Sequence, residues 1–398
     1  MASTLEWVLP ASTPSAVPKP VKASPLTRDA NLPDHCFVDA ALLTGHKEPL
    51  KYSGSLDDFR SFDTTPNIGR EFPDANLASW LRAPDSDRLL RDLAITVSRR
   101  GVVFFRSQND MTIELQKELG QRMGLLSGKP ATSGLHVFPL RQPGKELEDP
   151  EVTVITHFEP DKSLPAAQKV AHQRARLQDP RATLMHRMWH SDTTFEHVTS
   201  DYAVLRMVEK PRTGGDTLWA SGYELYDRLS PPLHAFFKTL TFTGGQPKYN
   251  QAAELTGIPW YEDPRGAPEN TGRRLRAVHP VVRTNPVTGW NSIYALGHHV
   301  EFINGVSPDE SKRLLDWLND LVSLNHDIQV RYRWENVNDM AIWDNRCVVH
   351  TATPDYLGKG LGNRLGYRVA SIGERPYLDP EAIGRADAEA KEEQAVLV

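Results

Sequence analysis

Trp189-His190-Ser191-Asp192-Thr193-Thr194-Phe195 sets an imidazole and a carboxylate two residues apart on a stretch that reads as extended backbone. On a strand, residues i and i+2 point to the same face, so His190 and Asp192 aim at a common point. A second imidazole from a distant strand would complete the facial set of two histidines and one carboxylate that holds Fe(II) and leaves three coordination positions open. The triplet alone decides little. The chain has 14 histidines, and a satisfied core histidine next to a turn aspartate is the ordinary reading of such a pair. What surrounds it has to discriminate.

Outward from the triplet, short β-rich runs are split by Pro and Gly: Tyr202 to Val208, Asp216 to Trp219, Val278 to Val282, Ile328 to Trp334 and Met340 to Trp343. Their alternation and even spacing predict an antiparallel sandwich or barrel with helices packed outside. Two helices are legible. Asp85 to Arg100 places Leu89, Leu90, Leu93, Ala94 and Val97 at helical spacing, stops at Gly101 and feeds the buried strand Val102 to Phe105. Ser307-Pro308-Asp309-Glu310 is a capping box with Pro at the first helical position, followed by an apolar face of Leu314, Leu315, Leu318, Leu321 and Val322.

Three further stretches follow the triplet in order: Gly214-Gly215-Asp216-Thr217-Leu218-Trp219, then Ile342-Trp343-Asp344-Asn345-Arg346 with His350, then Asn363-Arg364-Leu365-Gly366-Tyr367-Arg368. Together with it they closely resemble the taurine dioxygenase and 2,4-dichlorophenoxyacetate dioxygenase (TauD/TfdA) family of Fe(II)/2-oxoglutarate oxygenases, from about Ile68 to Pro376. The resemblance implies a mainly β fold with flanking helices, built on a double-stranded β-helix (a cupin-like jelly roll). It implies that His190, Asp192 and His350 are the metal ligands, that Arg364 pairs with the distal carboxylate of 2-oxoglutarate and that Thr217 donates a hydrogen bond to it. A dianionic co-substrate calls for an always-charged, bidentate donor at its far end. Arg368, four residues on, shares a strand face with Arg364 and is placed to hold an anionic substrate or to assist the co-substrate, against the plainer reading of a strand-surface ion pair. Fe(II), 2-oxoglutarate and O2 are the implied cofactors, with ascorbate as a stimulant and succinate and CO2 as products. Trp189, Trp219, Trp334 and Trp343 read as core aromatics packed around the site. Asp344 reads as a turn residue rather than a fourth ligand, Cys347 as a small buried apolar residue, and the pair His298-His299 as a solvated loop.

The substrate side departs from taurine dioxygenase. That enzyme grips the sulfonate with a histidine in an Ile-His-Pro context; the matching run here, Leu135-His136-Val137-Phe138-Pro139, has Phe138 at that place and the histidine two positions earlier. His136 shares a strand face with that position, but Phe138 points to an apolar substrate wall. His186 stands where that enzyme carries a substrate-side asparagine. The region Tyr52 to Arg106, with Gly69-Arg70-Glu71-Phe72-Pro73, looks like fungal members of the family. The expected activity is oxidation of an unactivated C–H bond of a small organic substrate in secondary-metabolite tailoring. The alternatives are a taurine-like organosulfonate dioxygenase that releases sulfite, and desaturation or ring closure of an amino acid or terpenoid intermediate.

Composition excludes other classes. With 46 Lys+Arg against 51 Asp+Glu the net charge is −5, and clusters such as Arg273-Arg274-Leu275-Arg276 are too short for a basic groove, so nucleic acid is not the expected partner. Apolar runs of four or five residues fall far below the roughly 20 that span a bilayer. A small molecule is the expected partner, and a homo-oligomer is compatible with the sequence. Two cysteines and no readable secretion or address signal place the chain in the reducing cytoplasm. Residues 1–50 read as a loosely ordered arm, 51–378 as one dioxygenase domain with lid insertions near 141–187 and 246–276, and 379–398 as a tail.

Overall fold

The structure, a computed structural model, describes residues 47–140, 149–156 and 188–396. A seven-stranded sheet runs in the order Phe62–Asp63, Arg70–Phe72, Val102–Phe105, Met340–Asp344, Ser200–Glu209, Leu365–Ile372, Thr153–Thr156. Its neighbours are antiparallel except for the parallel pair Arg70–Phe72 and Val102–Phe105. Further sheets are Gln329–Tyr332, Thr217–Ser221, Val348–Ala352 and Val300–Ile303, Thr241–Gly245, Arg276–Pro280, with a pair formed by Val282–Thr284 and Asn291–Ile293. From Gln329–Tyr332 onward consecutive strands change sheets. Met340–Asp344 lies in the large sheet, and Val348–Ala352, after a three-residue corner, lies in the smaller one. This alternation makes the chain a mainly β jelly roll with helices outside it.

Between the sheets, Phe104 stacks on Tyr332 at 4.1 Å and Trp219 packs on Trp343 at 5.7 Å. All four tryptophans read as core aromatics, 189, 219, 334 and 343, are buried. The other face of the large sheet is covered by helix Ser86–Arg100. Its residues Leu89, Leu90, Leu93 and Val97 join Phe72, Phe105, Val204 and Ile342 in one cluster, and each buried side chain of this size contributes roughly 1.5–3 kcal/mol. The helix stops at Gly101, where φ is +75° and a Cβ would stand 2.7 Å from Val348 Cγ1, so only glycine fits the step into the strand. Helix Pro308–Leu324 has the full Ser307/Glu310 capping box and buries Leu318 and Val322, with Leu314, Leu315 and Leu321 packed against the same cluster.

The C-terminal stretch differs from expectation, and the insertions carry elements of their own. The stretch 379–398, read as a tail, carries helix Arg385–Val396. Arg385 donates to the Asn67 carbonyl at 2.7 Å, Ala386 N–H to Asp227 at 3.0 Å, and the preceding Ala382 carbonyl accepts from Asn291 at 2.7 Å. The helix is too polar to show as an apolar periodicity because most of its contacts are polar, down to the ion pair of Glu392 with Arg99 at 2.9 Å. The 246–276 insertion holds helix Pro247–Thr256, and the described part of the 141–187 insertion holds the edge strand Thr153–Thr156. Residues 1–46 of the proposed arm, and the insertion's residues 141–148 and 157–187, lie outside the described residues. No described helix is long and apolar enough to cross a membrane.

Candidate active site

His190 is held at the edge of the smaller sheet by two reciprocal backbone bonds with His350, 3.0 and 2.8 Å long, and by a bridge to Gly297 on its other side. The two-residue step to Asp192 brings the carboxylate round to the same point. Oδ1 of Asp192 is 3.9 Å from Nε2 of each histidine, and one donor atom from each of the three side chains lies within 4.8 Å of the others. Among the described residues this is the one cluster of metal-ligating side chains. Burial holds both imidazoles well below their ordinary pKa, which keeps them in the neutral form that coordinates a cation. His190 Nδ1 donates to the Met188 carbonyl at 3.1 Å and so leaves Nε2 with its lone pair toward Asp192. The buried Oδ2 of Asp192 and Nδ1 of His350 have no hydrogen-bond partner among the described residues. A carboxylate oxygen left bare beside two neutral imidazoles suits a divalent cation.

Asn345, at the corner between the sheets, fixes this turn. Its Oδ1 accepts from the Asp192 backbone N–H and from Trp343 Nε1, each at 3.0 Å, and its carbonyl accepts from Ser191 Oγ at 2.7 Å. Thr193, next along, sits at φ +60°, an uncommon conformation for a β-branched residue, and its carbonyl and hydroxyl take bonds from Glu196 and Ser200. Asp344 belongs to a buried ion pair with Arg346 at 2.8 Å and is not in the donor cluster. Cys347 is buried and free.

Behind this triad Arg364 is 2% exposed. Its Nε donates to the Gly215 carbonyl at 2.9 Å and its Nη2 to Thr217 Oγ1 at 3.0 Å, while Nη1 is buried with no partner among the described residues. Among the described residues no carboxylate bonds to it; burial lowers its pKa, opposed by Tyr356 and Asp216 nearby. A desolvated guanidinium with a free N–H is an anion site waiting for its anion. Thr217 also accepts from Trp334 Nε1 at 3.1 Å, so both donors to its oxygen are protein groups and its own O–H remains to be given. Arg368 Nη1 contacts Asp192 Oδ1, and its Nε is buried without a partner.

The family described as "Taurine catabolism dioxygenase TauD, TfdA family" matches residues 60–370. The chain belongs to the TauD/TfdA family. It is 51% identical over 348 residues to an alpha-ketoglutarate-dependent dioxygenase of Neocamarosporium betae, covering 86% of this chain and 98% of that one. To an alpha-ketoglutarate-dependent sulfonate dioxygenase of Saccharomyces cerevisiae it is 31% identical, over 87% of this chain and 74% of that one. A crystal structure of a putative alpha-ketoglutarate-dependent taurine dioxygenase from Burkholderia xenovorans shares the fold, with a TM-score of 0.58 at 24% identity over 81% of this chain and 95% of that one. Like other TauD/TfdA enzymes, this protein is an Fe(II)- and 2-oxoglutarate-dependent dioxygenase; alpha-ketoglutarate is the same compound.

On the substrate side of this TauD/TfdA site the structure rearranges the expected residues. His136 is buried, with Nε2 3.6 Å from Glu196 Oε1. Glu196 is itself gripped by Arg265 through two bonds of 2.6 and 2.9 Å. Burial would raise that carboxyl's pKa, but His136 and Arg265 outweigh it and hold it below the usual range. Phe138 instead packs on Tyr249 at 5.0 Å; Tyr249 packs on Phe195 at 5.8 Å, and Phe195 on His299 at 5.4 Å. The pair His298-His299, expected as a solvated loop, lies in a turn where His298 is exposed and His299 is not. Both rings lie against His190, at 4.8 and 5.5 Å, and His299 is buried with Nδ1 3.2 Å from the Ser191 carbonyl. His186 lies outside the described residues. Sequence reasoning missed Asn345, Tyr249 and the histidine pair. The position of Asn345 directly after Trp343-Asp344 was a usable signal for the first, whereas the others are brought in by tertiary contacts alone.

Proposed function

We propose that this enzyme oxidises an unactivated C–H bond of a small, largely apolar organic molecule in secondary-metabolite tailoring, with His190, Asp192 and His350 holding Fe(II). In this reading Arg364 and Thr217 hold the distal carboxylate of 2-oxoglutarate, and Arg368 lies between the co-substrate and the metal ligands. The observation that carries it is the convergence of two neutral imidazoles and the Asp192 carboxylate, one donor atom from each within 4.8 Å of the others. Fe(II) chelated by 2-oxoglutarate supplies, with O2, the oxidising power that converts the co-substrate to succinate and CO2 and oxidises the substrate. The chain's own residues place and shield. His190 is aligned by the Met188 carbonyl and Asp192 by Asn345, and the wall of Phe138, Tyr249 and Phe195 packs the substrate and keeps water from the reacting centre.

Taurine-like chemistry is disfavoured by the same residues. Phe138 stands where taurine dioxygenase carries its sulfonate-gripping histidine and packs on Tyr249 at 5.0 Å, which offers an anion no donor, and the His136 imidazole lies against the Glu196 carboxylate at 3.6 Å, a neighbour that repels an anion. Residues 51–378 act as one catalytic domain, and the partner is a small molecule in the cytoplasm. The test is a screen of sulfonates, amino acids, phenoxy acids and terpenoid or polyketide intermediates for substrate-stimulated succinate release with Fe(II) and ascorbate, recording product mass. Stimulation by apolar intermediates with a gain of one oxygen, or loss of two hydrogens, supports the proposal. Stimulation by sulfonates alone, with sulfite released, overturns it.

A further inference from the structure

One polar group close to Arg364 has no task in the account so far. Tyr356 lies in the turn after strand Val348–Ala352 and is 3% exposed, and its hydroxyl is buried without a hydrogen-bond partner among the described residues. A buried tyrosine hydroxyl ordinarily finds a partner, so one left bare points to a group that arrives later. The turn is not loose. Asp355 Oδ1 accepts from the Gly215 N–H at 2.9 Å and from Thr353 Oγ1 at 2.8 Å, and Thr353 N–H donates to the Asp216 carbonyl at 2.8 Å. These bonds pin Tyr356 to the Gly214–Asp216 stretch, whose Gly215 carbonyl also holds Arg364 Nε.

Tyr356 and Arg364 flank that same glycine. A Cβ on Gly215 would lie 3.1 Å from Arg364 Cδ and 3.3 Å from the Tyr356 ring, so the site is built close on both sides of a bare backbone. The two side chains sense each other electrostatically. Burial raises the phenol to about 12, with the Arg364 charge opposing, so it stays protonated and able to donate.

Resting on the 2-oxoglutarate reading of Arg364, we propose that Tyr356 is a further co-substrate-binding residue: its hydroxyl donates to the distal carboxylate of 2-oxoglutarate beside Arg364 Nη1 and Thr217 Oγ1. A carboxylate offers about four acceptor positions. Three donors of different chemistry around it satisfy most of them and leave neither the guanidinium nor the phenol bare. The contact also selects for chain length, because a 2-oxo acid without the far carboxylate can chelate iron but cannot reach it.

The test compares Tyr356→Phe with the wild-type holoenzyme under anaerobic Fe(II), following the visible absorption of the iron chelate while either 2-oxoglutarate or pyruvate is added. Pyruvate carries the 2-oxo acid end and lacks the distal carboxylate. Loss of one hydrogen bond to a charged group should raise the dissociation constant for 2-oxoglutarate by about tenfold or more and leave that for pyruvate within twofold. An unchanged constant for 2-oxoglutarate, or an equal loss for both acids, overturns the proposal, the latter because it would mark a general disturbance of the site. Failure of the underlying reading is distinguishable: then Arg364→Met as well as Tyr356→Phe would leave 2-oxoglutarate binding as in the wild type.

Discussion

Arg364 carries the sharpest trade-off at the level of single residues. A guanidinium buried among a carbonyl, a hydroxyl and a tyrosine ring, with one N–H unused, costs stability in the absence of an anion and repays it on binding. Arg364→Met should therefore leave the denaturant midpoint of the ligand-free protein unchanged or raised. The same change should weaken 2-oxoglutarate binding by about 2–4 kcal/mol, the scale of a lost charge-assisted bidentate contact. Paired equilibrium unfolding and co-substrate titration of the variant check both halves. A large loss of stability with normal 2-oxoglutarate affinity would mean that Arg364 is structural. Arg368, by contrast, already has Asp192 within contact, so its role is tied to the metal ligands more than to the far carboxylate.

Strands and loops set the site through close backbone approach. Gly297 forms a bridge with His190 at φ +83°, and a Cβ there would stand 2.2 Å from the Trp189 carbonyl oxygen and 2.8 Å from His190 Cα, both rigid backbone atoms. Gly297→Ala must push the ligand strand away or strain the loop. The expected result is a loss of about 2 kcal/mol of stability or more, with Fe(II) affinity at least about tenfold weaker, read by denaturant midpoint and metal titration. Wild-type iron affinity in that variant would show that the strand's position is set elsewhere. The insertion after Gly245 behaves as two parts. Its second half is sewn to the metal loop by the Arg265–Glu196 pair and by Asn270, which exchanges bonds with both backbone groups of Val198. Its first half is helix Pro247–Thr256, which brings Tyr249 to the aromatic wall.

Across the whole molecule, buried histidines tie stability to acidity. His279 is fully buried beside Arg283, with Nε2 3.0 Å from the Thr194 carbonyl, and burial pushes its pKa down to about 3. An unfolded histidine titrates near 6.5, so between those values the unfolded chain holds the extra proton. This contribution is complete above about pH 6.5 and is lost as the pH falls toward 3, at up to about 1.4 kcal/mol per pH unit. His279→Gln should flatten the stability profile between pH 6 and pH 4, measured by denaturant unfolding at each pH; an unchanged slope would refute the assignment. The same contrast between local and distant contacts explains what could be read in advance. His190 and Asp192 were legible because strand geometry alone places i and i+2 together, and helices Ser86–Arg100 and Pro308–Leu324 because their apolar spacing and caps are local. The partners of His136, Tyr249 and His299, and the docking of helix Arg385–Val396, depend on segments distant in the chain that carry no mutual signature in it.

Anaerobic addition of Fe(II) and then 2-oxoglutarate tests the central claim most directly. One ferrous ion per chain should bind and a weak visible absorption band should appear on adding the co-substrate, with both lost in Asp192→Ala and in His350→Ala. A folded His350→Ala protein that still binds one equivalent of Fe(II) and develops the band would contradict it.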